Sequence, residues 1–527
     1  MKPLSSHWAD IAALKVVNAR PDQDCYVIAS GITPSGTVHI GNFREVITVD
    51  LVGRALRARG KSVRFIYSWD NFDTFRKVPK NLPEPAAFEQ YLCQAIARIP
   101  DPWGREATYA QGRIAEFEGE LSQVGVAPEF LYQEARYSSG AYAKEIRHAL
   151  EQRDTIRGIL NQHRTSELAD SWLPTAIYCS QCAKDEMSSE RYLGEWQYAY
   201  HCAHCQHRET VDIRTTANLK LQWRVDWPMR WFFEKVDFEP GGKDHSSQGG
   251  SFDTAKEICQ ALWGIRPPEY LQYDFVRIKG GGGKMSSSKG ELYTLGDALE
   301  VYEPEMIRWI FAAQRPNHDF AIAFDEDVIK MYDEFDRFEQ AALTPHSPKP
   351  EQQIVLRRTY EFSSVEGKLP ATLPQRAGFR LLCTRLQVCG GDVERTYQRY
   401  YQRELLGEDR QRFVRRAHCA LVWLEKYAAE EFCYTLQGGN SRELSSADQA
   451  ILTKLRQLVN AVDLETITAK DLNDRLWASV IHPAGGDPKA VFSVIYQYLI
   501  GRDQGPKLPS FLQEIGKDKL NELLEHQ

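Results

Sequence analysis

No stretch of the 527-residue sequence reaches the roughly 18 consecutive apolar residues that a membrane helix requires, so no membrane partner is expected. Met1 to Asp10 has no apolar core and an early acid, unlike a secretory leader. Internal repeats and coiled-coil heptads are also missing, which excludes a solenoid or a fibrous rod. There is no excess of basic charge. The net charge of −7 rules out a histone-like nucleic-acid binder but leaves room for an enzyme with a local basic surface. What is present suits a globular chain: 43% apolar, 11% aromatic and 26% charged residues exclude disorder, and the length suggests three or four units at about 150 residues each. Of eleven cysteines, four form two Cys-x-x-Cys pairs and seven are mostly scattered. That is thiol usage for a reducing compartment, so a cytoplasmic protein is expected.

The chain opens with a βαβ texture. Residues 25–30 read as a buried strand and residues 31–36 as a turn. Ile40, Phe43, Ile47 and Leu51 then recur at helical spacing, with Thr37 as expected N-cap and Gly60 as stop. Residues 63–67 read as a second strand. Such a unit closes into a parallel sheet whose ligands sit at the carboxyl ends of the strands. Residues from about 85 to 170 look helical, and 171–215 are polar and rich in Cys and His. The α/β texture returns over 220–324, with residues 270–278 read as one strand. Beyond a proline-rich boundary at 344–350 the chain reads as helices. The expectation is an α/β, Rossmann-like parallel-sheet catalytic domain over 1–344, with an insert at about 85–215 whose zinc-binding part is about 171–215. An all-α domain over 345–527 follows.

Three stretches carry chemistry. Pro34-Ser-Gly36-Thr-Val-His39-Ile-Gly41-Asn42 lies where the first strand passes into the first helix. Small residues there let a planar ligand approach the backbone. His39, expected in the first helical turn, is placed to stabilise charge on a phosphoryl group. The second stretch is Lys279-Gly-Gly-Gly-Gly-Lys284-Met285-Ser286-Ser287-Ser288-Lys289. Four glycines put few steric limits on its backbone, and two lysines suit a polyphosphate. It is not a Walker A loop, because Met285 follows Lys284 where Ser or Thr is required. Third, Cys179-x-x-Cys182 and Cys202-x-x-Cys205 have the spacing of a closed four-cysteine Zn²⁺ site, structural in role. At the C-terminal end, residues 376–416 hold ten arginines against five acids. Arg376 and Arg380, one helical turn apart, are candidates for the phosphates of a polyanion, weighed against solvated helix faces paired with Glu404 and Glu408.

The first two stretches together resemble the signatures of class I aminoacyl-tRNA synthetases. His39-Ile-Gly-Asn42 is similar to His-Ile-Gly-His, and Lys284-Met-Ser-Ser-Ser288 to Lys-Met-Ser-Lys-Ser. Asn42 replaces the second histidine. Ser287 replaces the second lysine, whose charge Lys289 is the candidate to supply. Residues 68–79, 236–245 and 249–254 bring the chain nearest the lysyl branch of that family, over about 25–330. The resemblance implies that lysine's carboxylate attacks the α-phosphate of ATP, with Mg²⁺. The lysyl group then passes to the 2′-hydroxyl of the terminal adenosine of tRNA(Lys), whose anticodon the helical domain reads.

It further implies catalytic roles for His39, Asn42, Lys284 and Lys289. ATP would contact Pro34, Gly36, His39, Gly41 and Asn42 on one side and Met285, Ser286, Ser287, Ser288 and Lys289 on the other. Lysine would contact Gly31, Thr33, Asp70, Trp223 and His245. Asp70 is the first candidate for a lysine ammonium, Asp73 the second, and Asp244 suits ribose or substrate. A monomer is expected. Some relatives carry Cys-His where Arg105-Glu106 stands, which leaves a second metal site near Asp101 open. Two alternatives stand beside this reading: a class I synthetase for another amino acid, such as glutamate, and a catalytically silent tRNA-binding relative, which Asn42 and Ser287 keep in play.

Overall fold

A computed structural model describes residues 2–279, 292–344, 349–401, 404–405, 407–437, 444–485 and 487–525. Strands β1 (Cys25–Ile32), β2 (Ser62–Trp69) and β3 (Glu129–Tyr132) come first. A small antiparallel region follows: β4 (Thr175–Ile177), β5 (Met187–Gly194), β6 (Gln197–Cys202), β7 (Arg208–Asp212) and β8 (Leu219–Leu221). The chain then returns with β9 (Phe238–Gly242) and β10 (Glu269–Tyr273). The main sheet is parallel throughout, in the order β10-β9-β1-β2-β3. Its chain path moves outward from β1 in one direction and later in the other. The point of reversal, between β1 and β9, is where α/β sheets open a crevice for ligands. Ile28 lies opposite Phe238 there, and the Asp237 carboxylate accepts from the Val27 N–H at 2.8 Å.

The helix Ile40–Ala58 covers this crossover because its apolar side is continuous: Phe43, Val46, Ile47 and Leu51 are all buried. It starts at His39, not at Thr37. The His39 ring accepts from the Gly41 N–H while the Asn42 side chain accepts from the His39 N–H, a reciprocal cap that Thr37 cannot make from two residues upstream. Gly60 ends the turn with φ +75°.

Two segments differ from the sequence expectation. The segment 85–215 is not wholly outside the sheet, because β3 supplies the sheet edge beside β2. Residues 270–278 form two strands, β10 and β11 (Val276–Ile278), the latter paired with β12 (Phe320–Ile322) in a separate two-stranded sheet. The break falls at Asp274 and Phe275, whose carbonyls accept from the Arg44 guanidinium at 2.8 and 3.1 Å instead of continuing a ladder.

Residues Met1–Leu299, Pro304–Ile322 and Glu339–Ala371 form one compact unit; Glu300–Glu303, Ala323–Phe338 and Thr372–Gln527 form a second. The second unit has no strand among its described residues. Its helices, among them Ser446–Ala461, Pro488–Ile500 and Leu508–Ile515, close on Leu452, Leu455, Ile495, Leu499 and Phe511. No helix among the described residues is long and apolar enough to cross a membrane.

Candidate active site

His39 sits at the mouth of its helix with Nδ1 accepting from the Gly41 N–H at 3.1 Å. That hydrogen bond assigns the ring proton to Nε2. Asn42 donates no charge, but its side-chain oxygen closes the same cap from the His39 N–H at 3.1 Å. Gly41 thereby acts through its N–H. Pro34 is buried, and Gly36 lines a cavity with Ser35 and Thr33.

Lys284, Met285, Ser286, Ser287, Ser288 and Lys289 lie outside the described residues. Both flanks of that segment are described. It departs after β11, and it returns directly beside His39. The Ile40 N–H donates to the Tyr293 carbonyl at 2.8 Å, and His39 and Thr294 form an antiparallel bridge. Thr294 then caps the helix Leu295–Val301 through Asp297. Burial raises the Glu120 carboxyl to about 7 even though the Gly296 N–H and the Thr294 hydroxyl bond to it. Tyr293 and Thr294, which follow the second stretch in the chain, therefore meet the first stretch at its helix mouth.

The cavity beside this mouth has a volume of about 630 Å³ and is lined by Thr33, Ser35, Gly36, Asp73, Lys220 and Trp223, among others. Carboxylates crowd the carboxyl edge of the sheet and differ in what they face. Asp70 is gripped by Arg230 at 2.6 Å, and the same guanidinium reaches Asp226 at 3.1 Å. Asp73 accepts from the Thr33 hydroxyl at 2.6 Å and pairs with Lys220 at 2.5 Å. Glu45 has only neutral donors: the Tyr273 hydroxyl at 2.5 Å and the Gly31 N–H at 3.0 Å. Among the described residues no cation forms an ion pair with it. Burial pushes its carboxyl up to about 7, and those two hydrogen bonds only partly offset the shift. Gly31 is required where it stands, because a Cβ there would lie 2.6 Å from the Ser68 carbonyl oxygen.

Trp223 begins the helix Trp223–Glu234 and stacks on Trp227 at 5.2 Å. The His245 ring lies 5.9 Å from Trp227 and 6.4 Å from Trp223. Asp244 is exposed on the turn after β9. Sequence reasoning passed over Glu45, Tyr273, Arg230 and Lys220. The first three meet partners 160 or more residues away, so no local pattern marks them.

The four sulfurs of Cys179, Cys182, Cys202 and Cys205 lie within 4.8 Å of one another, with two pairs at 3.6 Å. A tetrahedral thiolate site with metal–sulfur bonds of ~2.3 Å spaces its sulfurs by about 3.8 Å, so the cluster fits a structural metal. Near Asp101, the carboxylate is occupied as a turn cap for the N–H groups of Arg105 and Glu106, at 2.8 and 3.1 Å.

In the second unit, Arg376 precedes the helix Phe379–Val388 instead of sharing a face with Arg380, because Gly378 is that helix's N-cap. Arg376 bonds Asp336, whereas Arg380 lines a separate cavity with Phe432. Arg412 and Arg416 are not solvated: both are buried and grip the fully buried Glu303.

A parallel sheet with a reversal crevice and a histidine at a helix mouth, to which the chain returns at Tyr293, suit an α/β enzyme of the class I synthetase type. The family model described as tRNA synthetases class I (K) matches residues 6–366, and the chain belongs to that family. It is 42% identical to the lysine–tRNA ligase of Borreliella burgdorferi over 98% of this chain and 99% of the relative. It is also 42% identical to that of Treponema pallidum, over 99% of this chain and 98% of the relative. The lysine–tRNA ligase of Thermococcus kodakarensis shares 42% identity over 97% and 98%.

Proposed function

We propose that this protein is a lysine–tRNA ligase that works in the cytoplasm. Near-full-length similarity to lysine–tRNA ligases supports the reading. The geometric observation that carries the choice of amino acid is Glu45. It is a half-buried carboxylate at the carboxyl edge of the sheet that no described cation pairs with, unlike Asp70 and Asp73. An ammonium group compensates such a carboxylate where a neutral or acidic side chain cannot. The ammonium role expected of Asp70 thus passes to Glu45, with Tyr273 as its orienting partner. Trp223 and His245 flank the substrate.

ATP lies with its phosphates at the mouth of the helix Ile40–Ala58, between His39 and the lysine-bearing segment 284–289. A lysine carboxylate oxygen forms a bond to the α-phosphorus, and the bond to pyrophosphate breaks. The 2′-hydroxyl of the terminal tRNA adenosine then attacks the carbonyl carbon and releases AMP. Little covalent work falls to side chains, so positioning and charge stabilisation dominate. His39 Nε2–H, Lys284 and Lys289 supply donors to the phosphates. Mg²⁺ accompanies the nucleotide, Zn²⁺ is held by the four cysteines, and the helical unit binds tRNA(Lys), with Arg380 as a contact. The enzyme acts as a monomer. Charging assays test the reading. Transfer of lysine to tRNA(Lys), retained with a 3′-deoxyadenosine terminus and lost with a 2′-deoxyadenosine terminus, is the expected outcome. Absence of charging by lysine would overturn it.

A further inference from the structure

Glu120 is buried, at 8% exposure, on the face of the helix Tyr109–Gln123 that also buries Phe117 and Leu121. A carboxyl in such surroundings is costly unless it is hydrogen-bonded. It finds its partners on the segment that enters the His39 mouth: the Gly296 N–H donates to it and the Thr294 hydroxyl meets it. The approach is close. A Cβ on residue 296 would lie 2.6 Å from Glu120 Oε1, so only glycine admits the carboxyl there. The charged groups that face Glu120 are acids, Glu116 one turn earlier on its own helix and Asp297 beyond Thr294. Arg113 reaches Glu116, at 3.5 Å, and not Glu120.

Thr294 has one hydroxyl proton and two carboxyl neighbours. It donates to Asp297 Oδ2 at 3.0 Å, and its oxygen accepts from the Asp297 N–H at 3.0 Å. What remains on that oxygen is a lone pair, which a neutral Glu120 satisfies by donating and an ionised one cannot. Neutral Glu120 thus completes an unbroken chain of donors, Glu120 to Thr294 to Asp297, while it accepts from Gly296. Thr294 is also the residue that bridges His39, and the Tyr293 carbonyl before it accepts from the Ile40 N–H at 2.8 Å. An apolar side chain at position 120 would fill the core without the desolvation cost. What a hydrogen-bonding one adds is a fixed place for Thr294 and Gly296, against which His39 is set.

Resting on the amino-acid-activating reading above, we propose that Glu120 is a positioning residue of the activation step, acting on His39 through Thr294 and Gly296. It touches neither nucleotide nor amino acid. It sets the segment that holds the imidazole where Nε2–H can donate to phosphate.

The test uses the full chain in lysine-driven pyrophosphate exchange into ATP, with rates taken per mole of folded protein. Glu120→Ala should lower kcat about tenfold while the KM for lysine stays within about twofold, because the donor to phosphate is misplaced and the amino-acid contacts are not. Glu120→Gln can accept from Gly296 and donate to Thr294, so it should recover to within about threefold of the wild type. The double variant His39→Asn/Glu120→Ala should be no slower than His39→Asn alone, since the second residue acts through the first. Gly296→Ala, whose Cβ pushes the carboxyl aside and leaves every polar group in place, should repeat the loss and the non-additivity; it carries the test if Glu120→Ala does not fold. A double variant slowed by the product of the two single losses, Glu120→Ala at the wild-type rate, or Glu120→Gln as slow as Glu120→Ala overturns the proposal. Wild-type exchange with another amino acid and not with lysine counts against the lysine reading alone; the same cycle run with that amino acid still decides the role of Glu120.

Discussion

Glu45 pays a desolvation cost that its hydrogen bonds only partly offset, and this makes it sensitive to pH. Its folded-state pKa, at about 7, lies above the ordinary carboxylate value. The neutral form therefore favours the fold at low pH, and that contribution is lost as pH rises through about 7. A substrate ammonium needs the ionised form, so substrate binding runs the opposite way. Lysine should raise the melting temperature more at pH 8 than at pH 6, and kcat/KM for lysine should fall below an apparent pKa near 7. Glu45→Gln should lose both effects and gain intrinsic stability at pH 8; calorimetry with and without lysine checks this. His39 caps its helix through Nδ1, and the proposed function gives it a second task, donating to phosphate through Nε2. Asparagine caps as well as any residue. His39→Asn should keep the melting temperature within a few degrees while exchange falls by roughly two orders of magnitude, the scale of one lost transition-state donor. His39 and Asn42 stood out in the sequence as a phosphate motif, but their capping role did not, since Thr37 was expected as the N-cap. Glu45 did not stand out, because it sits within an otherwise regular helix and meets Tyr273 only through the fold.

At the scale of elements, strand–helix–strand and the two Cys-x-x-Cys turns were readable from periodicity and spacing. What escaped was set by distant partners. β3 is only four residues long, too short for a periodic signal, and earns its place by pairing with β2. The break between β10 and β11 follows from Arg44 on another element. The small sheet β5–β6–β7 shares its end with the cysteine cluster, since Cys202 closes β6. One Zn²⁺ per chain should be found by metal analysis. Cys202→Ser should lower that content, and proteolysis should begin within about 171–215, because a structural metal supplies folding energy to the turns that hold it.

Across the whole molecule, net charge of −7 and an arginine-rich helical region suggested a solvated basic face. Instead, part of that arginine is internal. Burial alone would raise Glu303, yet Arg416 and Arg412 hold it at about 2, and Arg416 also reaches Asp336. Residue spacing shows where arginines fall on a helix but not which acid of another segment lies beneath them. A carboxylate depressed in this way supports the fold above its unfolded pKa and loses that support as pH falls toward 2. Glu303→Gln leaves two buried guanidiniums without their shared anion. It should cost about 3–5 kcal/mol in denaturant unfolding of the helical unit.

The proposed function requires one nucleotide to be bound by His39 together with Lys284 and Lys289. Pyrophosphate exchange into ATP, driven in turn by each of the twenty amino acids, tests it most directly. Lysine alone should drive exchange, with Lys289→Ala and His39→Asn each reducing it by about two orders of magnitude. Exchange driven by glutamate or another amino acid, or lysine-driven exchange untouched by both variants, would contradict the account.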